Sequence, residues 1–253
     1  MTSLYFGPVY IKSGKHKGRI GYFDDITVQN KKNIEEAVVI FGDPLLSNAH
    51  DIISFKCLEM INTHNLLERR NYLYRIIYLK AENNKIIPDI EKIKYLEEIN
   101  YINSLLSDRM FDAMFNHDKT EVNVFLSHSS KDKDFVKSLA VDLKHYGISV
   151  WLDEWEINIG ESIPTKVGEG IENCQYLALI LSQNSVQSKW VENEWQAKYW
   201  DELGSGKTHL LPILIEHCTI PKLLKHKRYA DFTEDYSLAL DELVNSINKL
   251  NNG

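Results

Sequence analysis

The sequence predicts an α/β fold whose second half is a parallel β-sheet covered by helices, preceded by a small β-barrel and a helical connector. Three patterns support this fold class. Short strand-like segments separated by turn residues fill the first 60 positions, and apolar residues recur every three or four positions from 90 to 114. After position 121, near-continuous apolar runs alternate with helical patterns, which is typical of a parallel sheet buried on both faces.

The first 60 residues predict several short strands. Turns are expected at Ser13-Gly14, at Asp24-Asp25 and after position 41, where Gly-Asp-Pro follows an apolar run. The strands themselves are predicted at residues 5–12, 19–23, 36–41 and 52–60. Short strands joined by such turns favour a small barrel.

One hairpin in this segment has a more specific pattern. Glycines at positions 7, 14, 18 and 21 punctuate a run that includes Val9, Ile11 and Ile20. This pattern resembles the KOW motif of SH3-like barrels, in which a glycine-rich loop joins two strands. Such barrels bind RNA or protein, so the resemblance makes nucleic acid a candidate partner of the basic residues in this loop, which are Lys12, Lys15, Lys17 and Arg19. The favoured alternative is a solvated hairpin with ordinary lysines.

The connector is predicted to be helical. A first helix is expected over 65–79, and Pro88 suits the start of a second. The second helix has a long apolar stripe, which either packs on a neighbouring domain or mediates self-association. A polar linker at 116–120 then marks a boundary, so we expect a barrel at 1–62, a helical connector at 63–119 and an α/β domain at 120–253.

The α/β domain is predicted from its alternating elements. Apolar strands are expected at 122–126, 148–152, 177–181 and 210–215, with a short fifth strand at 228–232. The helices between and after them are expected at 134–146, 163–173, 189–203 and 235–250. In parallel sheets, ligands bind at the carboxyl ends of the strands. The loops after Leu126, Leu152 and Leu181 are therefore expected to face one crevice.

Composition narrows the class of protein further. The net charge of −7 argues against a general nucleic-acid coat. The three cysteines form no paired motif, which favours a reducing compartment. No apolar run approaches the roughly 20 residues that a membrane-spanning helix needs, and the first residues do not match a signal peptide. We therefore expect a cytoplasmic protein with no membrane contact. No set of metal ligands at a suitable spacing is visible, so no metal site is expected.

Trp190 and Glu194 are the first candidates for chemistry. They are four residues apart in a predicted helix, which places a carboxylate beside an indole on one face. Such a carboxylate can stabilise a positively charged, sugar-like centre while the ring contacts a flat base. The alternative is a tryptophan in the core and a solvated glutamate.

Four segments together resemble a known family. They are residues 124–132 (Val-Phe-Leu-Ser-His-Ser-Ser-Lys-Asp), 147–153 (Gly-Ile-Ser-Val-Trp-Leu-Asp), 176–182 and 190–194. Their order and spacing over about 130 residues resemble a TIR (Toll/interleukin-1 receptor) domain of the bacterial, NAD-cleaving type. The resemblance implies a flavodoxin-like fold of five parallel strands with helices around them.

The resemblance also implies an activity and a site. Some TIR domains cleave NAD⁺ between nicotinamide and ribose, and these carry a glutamate at the position of Glu194. By this match Glu194 is the catalytic carboxylate and Trp190 an aromatic wall. The remaining substrate-binding residues would be Phe125, Leu126, Ser127 and His128 at the start of the cleft, with Asp153, Trp155 and Asn158 from the mobile loop after the second strand. NAD⁺ is the substrate, and no cofactor is implied.

One departure concerns phosphate binding. Some NAD-cleaving members outside bacteria have basic residues where this chain has Ser129, Ser130 and Glu156. Phosphate contacts must therefore come from elsewhere, with backbone amides, Lys131 or another subunit as candidates.

Two functions from different classes follow. The first is an NAD⁺ glycohydrolase or cyclase of bacterial antiphage defence, which self-associates through the loop at 153–162 and whose nucleotide product reaches a downstream effector. The second is a non-catalytic TIR adaptor whose N-terminal barrel binds protein or nucleic acid.

Overall fold

The computed structural model divides the chain into two compact units, Met1–Met110 and Phe111–Gly253. It describes residues 6–29, 34–47, 49–82, 88–115, 122–157, 159–188, 196, 198–202, 204 and 209–251. The boundary between the units lies inside a helix. The division into 1–62, 63–119 and 120–253 stays a prediction.

The first unit contains a five-stranded antiparallel sheet. Its strands are β1 (Gly7–Ile11), β2 (Ile20–Gln29), β3 (Ile34–Ile40), β4 (His50–Ser54) and β5 (Leu58–Met60). They are hydrogen-bonded in the order β4-β3-β2-β1-β5. An apolar cluster that includes Val9, Phe23 and Val39 packs on this sheet. The arrangement is consistent with the predicted small barrel, while the KOW resemblance stays a prediction.

Two predictions for this sheet are wrong. Asp24-Asp25 is not a turn, because β2 continues through it with a bulge between Phe23 and Asp25. The bulge adds one residue to the strand and so leaves both carboxylates exposed to solvent. Residues 52–60 are not one strand either. A short 3₁₀ turn at Phe55–Cys57 separates β4 from β5, which pair with different strands.

Two long helices follow, α1 (Thr63–Glu82) and α2 (Asp89–Phe115). Both were predicted, α1 from a segment rich in Leu, Tyr, Ile and Arg, and α2 because its apolar residues recur at helical spacing. The two helices pack against each other through a buried apolar cluster that includes Leu66, Leu73 and Ile102. Arg69 on α1 donates to both oxygens of Glu98 on α2, at 2.8 and 3.0 Å, which pairs a nearly buried carboxylate with a guanidinium.

The second unit contains a five-stranded parallel sheet, which confirms the predicted fold class. Its strands are β6 (Asn123–Ser127), β7 (Ser149–Trp151), β8 (Tyr176–Leu181), β9 (Leu210–Leu214) and β10 (Ala230–Asp231). The order β10-β9-β8-β6-β7 is the flavodoxin-like order. All residues of β8 and β9 are buried, as expected for strands covered on both faces.

Helices cover both faces of this sheet. The described ones are α3 (Lys133–His145), α4 (Asp153–Glu156), α5 (Ile163–Asn173) and α6 (Tyr236–Asn251), and residues 198–202 are also helical. Alternate residues of β8 belong to two different apolar clusters. Since successive side chains of a strand point to opposite faces, these clusters are the two layers of core on either side of the sheet.

The strand order fixes where a ligand site is expected. The chain passes from β6 to β7 on one side and then returns to β8 on the other. The crossover connections therefore diverge between β6 and β8, which opens a crevice at the carboxyl ends of these strands. Separately, none of the helices in the described part of the chain is long and apolar enough to cross a membrane.

Candidate active site

Three loops meet at the carboxyl edge of the second sheet, as the sequence predicted. His128 follows β6 and lies near Asp153, which follows β7, with 3.9 Å between Nε2 and Oδ1. Ser182 follows β8, and its hydroxyl donates to Oδ2 of Asp132 at 2.7 Å. The loops after β6, β7 and β8 are thus joined by side-chain contacts at one edge.

A nearby backbone carbonyl fixes the orientation of the His128 side chain at the end of β6. Its side chain is only 7% exposed. The ring nitrogen Nδ1 lies 3.0 Å from the carbonyl oxygen of Leu126. This contact turns the other ring nitrogen toward Asp153.

Asp132 is a buried carboxylate between two loops. It is the last residue of the 3₁₀ turn Ser130–Asp132, which leads directly into α3, and its side chain makes no cap hydrogen bond to that helix. It accepts instead from the hydroxyl of Ser182 and, at 3.5 Å, from the side-chain amide of Asn184. The carboxylate therefore ties the loop after β6 to the loop after β8.

The loop after β8 is a closed turn. The amide of Ser182 donates to Oγ of Ser185 at 2.8 Å, and the amide of Ser185 donates to Oγ of Ser182 at 2.9 Å. Both serines are buried. A second anchor comes from the loop after β9, where the Glu216 carboxylate accepts from the amide of Gln183. The turn is thus attached to the sheet edge on two sides.

The side chains of the predicted site residues at the end of β6 are buried in the second unit. Phe125 stacks on Trp151 at a centroid distance of 4.6 Å and an interplanar angle of 15°. Leu126 belongs to the core on the opposite face, and Ser127 is 1% exposed. Their predicted place in the cleft wall stays a prediction.

The segment after β7 is partly helical, where the sequence predicted a loop. Asp153–Glu156 forms the single turn α4, which Trp155 stabilises by packing against the core below it. The Lys144 ammonium lies 4.5 Å from the centre of the Trp155 ring, and burial lowers the pKa of that lysine. Trp155 therefore faces α3, while Asp153 is partly exposed at the sheet edge.

Three predicted site residues, Asn158, Trp190 and Glu194, lie outside the described residues. The described chain reaches Ser188, six positions before Glu194, and resumes at Gln196. Their roles stay predictions that rest on the sequence.

Sequence reasoning missed the polar residues that join the loops. Ser182 and Ser185 had a local signal, since a Ser-x-x-Ser pair after an apolar strand can bond its own turn. Asp132 had none, because its partner Ser182 is 50 positions away. Within the described ranges, no cluster of three or more histidine, cysteine, aspartate or glutamate residues could hold a metal ion.

Comparisons with known proteins agree with this architecture. The family model described as the TIR domain matches residues 124–244. A probable 2′ cyclic ADP-D-ribose synthase (TcpO) from Methanobrevibacter olleyae is 35% identical over 124 residues, which are 47% of this chain and 36% of that protein. The 2′ cyclic ADP-D-ribose synthase AbTIR from Acinetobacter baumannii is 32% identical over 137 residues, covering 51% of this chain and 46% of that protein.

A third relative bears a different activity in its name. The NAD(+) hydrolase TcpC from Escherichia coli is 33% identical over 84 residues, covering 33% of this chain and 27% of that protein. The chain thus spans less than half the length of each of these relatives. The parallel sheet, its strand order and the matched segment lead to one conclusion: residues 124–244 of this chain are a TIR domain.

Proposed function

We propose that this chain cleaves NAD⁺ at the bond between nicotinamide and ribose. The observation that carries the proposal is the TIR domain at 124–244, whose relatives are named as cyclic ADP-ribose synthases and as an NAD⁺ hydrolase. Glu194 follows β8, and the carboxyl end of β8 lies at the crevice. We assign Glu194 as the catalytic carboxylate and Trp190 as the aromatic wall beside it.

The chemistry needs one well-placed carboxylate. Breaking the nicotinamide–ribose bond develops positive charge on the ribose, as in glycoside cleavage. A fixed carboxylate stabilises that charge because it is already oriented when the charge appears. Nicotinamide leaves from a cationic pyridinium, so it needs no proton from a general acid. Glu194 alone can therefore supply what ordinary glycosidases obtain from two carboxylates.

The product depends on which oxygen captures the ribose. Water gives ADP-ribose, whereas an oxygen of the substrate itself gives a cyclic isomer. Holding both reacting groups in one cleft raises their effective concentration, which favours cyclisation when water is excluded. The names of two relatives match the cyclic outcome and that of the third matches hydrolysis.

The described residues support a place for the ribose. His128 and Asp153 stand at the sheet edge with polar atoms 3.9 Å apart. Such atoms can accept hydrogen bonds from ribose hydroxyls and so orient the sugar toward the carboxylate. Asn158 lies outside the described residues and is assigned to the same set from its place in the sequence, five positions after Asp153.

Self-association through residues 153–162 belongs to the same proposal. Ile159 is fully exposed, and Ile163 just after the loop is 58% exposed. Apolar side chains at the tip of a loop favour contact with another surface. The proposal also includes a cytoplasmic location and a role in antiphage defence. In that role the nucleotide product reaches a downstream effector.

The basic hairpin of the first unit favours a structural role over nucleic-acid binding. Lys15 and His16 contact the Asp51 carboxylate at 3.3 and 2.7 Å. The Arg19 guanidinium lies 3.9 Å from the centre of the Phe41 ring. His16 and Arg19 are engaged inside the unit and so are less available to phosphates, whereas the Lys15 side chain is 80% exposed.

The decisive experiment measures nicotinamide release from NAD⁺ by the full chain and by Glu194→Gln. We expect the variant to lose activity by about 100-fold or more, because the amide cannot neutralise the charge on the ribose. The exposed Glu172→Gln on α5 is the matched control and should retain activity.

Each negative outcome has a defined meaning. Nicotinamide release that persists in Glu194→Gln would remove Glu194 from the mechanism. A wild-type chain that releases none, as monomer or in assembled form, would leave the adaptor function instead. Chromatography of the products separates ADP-ribose from a cyclic isomer.

A further inference from the structure

The Asp132 carboxylate connects two loops at the edge of the crevice. One oxygen accepts from the Ser182 hydroxyl at 2.7 Å, and the other accepts from the Asn184 side chain at 3.5 Å. Asp132 is 8% exposed and Ser182 is not exposed at all. A short hydrogen bond to a buried carboxylate is among the stronger contacts available to a hydroxyl.

Asp132 does not act as a helix cap. It is the last residue of the 3₁₀ turn Ser130–Asp132, which runs directly into α3, and that turn is capped by Ser129, whose hydroxyl accepts from the Lys131 amide at 3.4 Å. The Asp132 side chain makes no cap hydrogen bond to α3. The carboxylate is directed away from its own helix and toward the loop after β8.

The bond to Ser182 sets the geometry of the turn beyond it. Because the Ser182 hydroxyl donates its hydrogen bond to Asp132, its oxygen presents a lone pair to the Ser185 amide, at 2.9 Å. The Ser185 hydroxyl oxygen in turn accepts a hydrogen bond from the Ser182 amide. The Asp132 carboxylate therefore orients the Ser182 hydroxyl for its hydrogen bond with the Ser185 amide.

The turn leads directly to the proposed catalytic segment. The 3₁₀ turn Ser185–Gln187 ends at Ser188, whose amide donates to the carbonyl of Ser185 at 3.0 Å. Glu194 follows six positions later. A change in the backbone direction at Ser188 would change the position of the residues that follow it.

We propose that Asp132 is a positioning residue for the reaction, and that its bonds to Ser182 and Asn184 set where the chain enters the segment of Glu194. The inference rests on the proposed NAD⁺ cleavage. Asp132 contacts the turn after β8, and through that turn it acts on the reaction. Small displacements of a catalytic group lower the rate steeply, so this role should appear in kcat.

The test uses three substitutions in the full chain and one control. Asp132→Ala removes both bonds, and Asn184→Ala removes only the weaker one. Asp132→Asn is the conservative variant, because its amide oxygen can still accept from Ser182. Asp134→Asn removes the same charge from an exposed position on the first turn of α3 and is the matched control.

Two readouts are needed. Steady-state nicotinamide release gives kcat and KM, and hydrogen exchange of peptides that cover 182–195 reports how firmly that segment is held. We expect Asp132→Ala to lower kcat by about tenfold to 100-fold with KM changed less than about twofold, and to raise exchange in 182–195 but not in β6. Asp132→Asn should recover most of kcat, and Asn184→Ala should show a smaller effect of the same kind. Asp134→Asn should match the wild type.

The proposal is overturned if exchange in 182–195 is unchanged in both alanine variants, or if kcat is unchanged while exchange rises. If Asp132→Ala does not fold, Asn184→Ala decides between the outcomes by itself. A wild-type chain without nicotinamide release would refute the proposed function, and the exchange experiment would still show separately whether Asp132 holds the turn.

Discussion

The Tyr236 hydroxyl donates to Oδ2 of Asp142 at 2.9 Å and so joins α6 to α3 inside the core of the second unit. Asp142 is completely buried and Tyr236 is 6% exposed. A carboxylate that loses water on folding needs hydrogen-bond donors in exchange. Tyr236 is one of these donors, supplied by a helix 94 positions away.

Tyr236→Phe is therefore expected to destabilise the TIR domain. The ring and its edge contacts with Phe135 and Phe232 remain, while the buried carboxylate loses a donor. We expect the free energy of unfolding to fall by about 1.5–3 kcal/mol. Urea unfolding monitored by circular dichroism measures it. Tyr229→Phe, at a partly exposed ring, should change stability by less than about 0.5 kcal/mol. Equal stability of the two variants would contradict the prediction.

Two glycines of α5 should respond in opposite directions to the same substitution. A Cβ on Gly170 would lie 2.6 Å from Cε2 of Trp151, whereas a Cβ on Gly168 has no neighbour within 4 Å. Gly170→Ala should cost about 1–3 kcal/mol, because the indole is already stacked on Phe125 and must shift. Gly168→Ala should stabilise by about 0.5–1 kcal/mol through helix propensity. Melting temperatures that move in the same direction would disprove this account of the packing.

The stability of the first unit should depend on acid through Asp51. The hydrogen bond from His16, followed by those from the Ile52 amide and from Lys15, lowers the pKa of Asp51 to about 2. A lowered pKa in the folded state means that the stabilisation is complete above the ordinary carboxylate pKa. It is lost as the pH falls from there to about 2.

Asp51→Asn tests whether this stabilisation is lost as the pH falls. Because the carboxylate is exposed to solvent, we expect a contribution of no more than about 1 kcal/mol at pH 5. The difference in unfolding free energy between wild type and variant should shrink toward pH 2. Asp24→Asn, on the exposed bulge of β2, is the control for the loss of an exposed carboxylate in the same unit. A difference that is constant between pH 5 and pH 2 would rule out the assigned cause.

Local patterns predicted much of the second unit. Tyr176–Leu181 is apolar throughout, and residues 163–173 were expected as a helix with the same bounds that α5 has. The helix expected at 134–146 is α3, and it is followed by Gly147, which adopts a φ of 76° as helix-ending glycines commonly do. These features depend on neighbours along the chain, and so a single sequence expresses them.

Features that depend on distant partners were not predictable in this way. The bulge in β2 depends on its pairing with β3, and a pair of aspartates alone suggests a turn. The same holds for Asp132, which has no local signal for its role because its partner Ser182 lies on another loop, 50 positions away. In the candidate site the sequence marked the segments, while the bonds between them required the fold.

The contact between His128 and the Leu126 carbonyl has a consequence for the proton on the ring. A carbonyl oxygen can only accept, so the bond at 3.0 Å requires the proton to be on Nδ1. The neutral imidazole then presents a lone pair at Nε2, on the side of Asp153. Two acceptors face each other there, and their attraction requires a proton, either on Nε2 or on a hydroxyl placed between them. A sugar hydroxyl that enters this gap would supply that proton without any change in the charge of the protein.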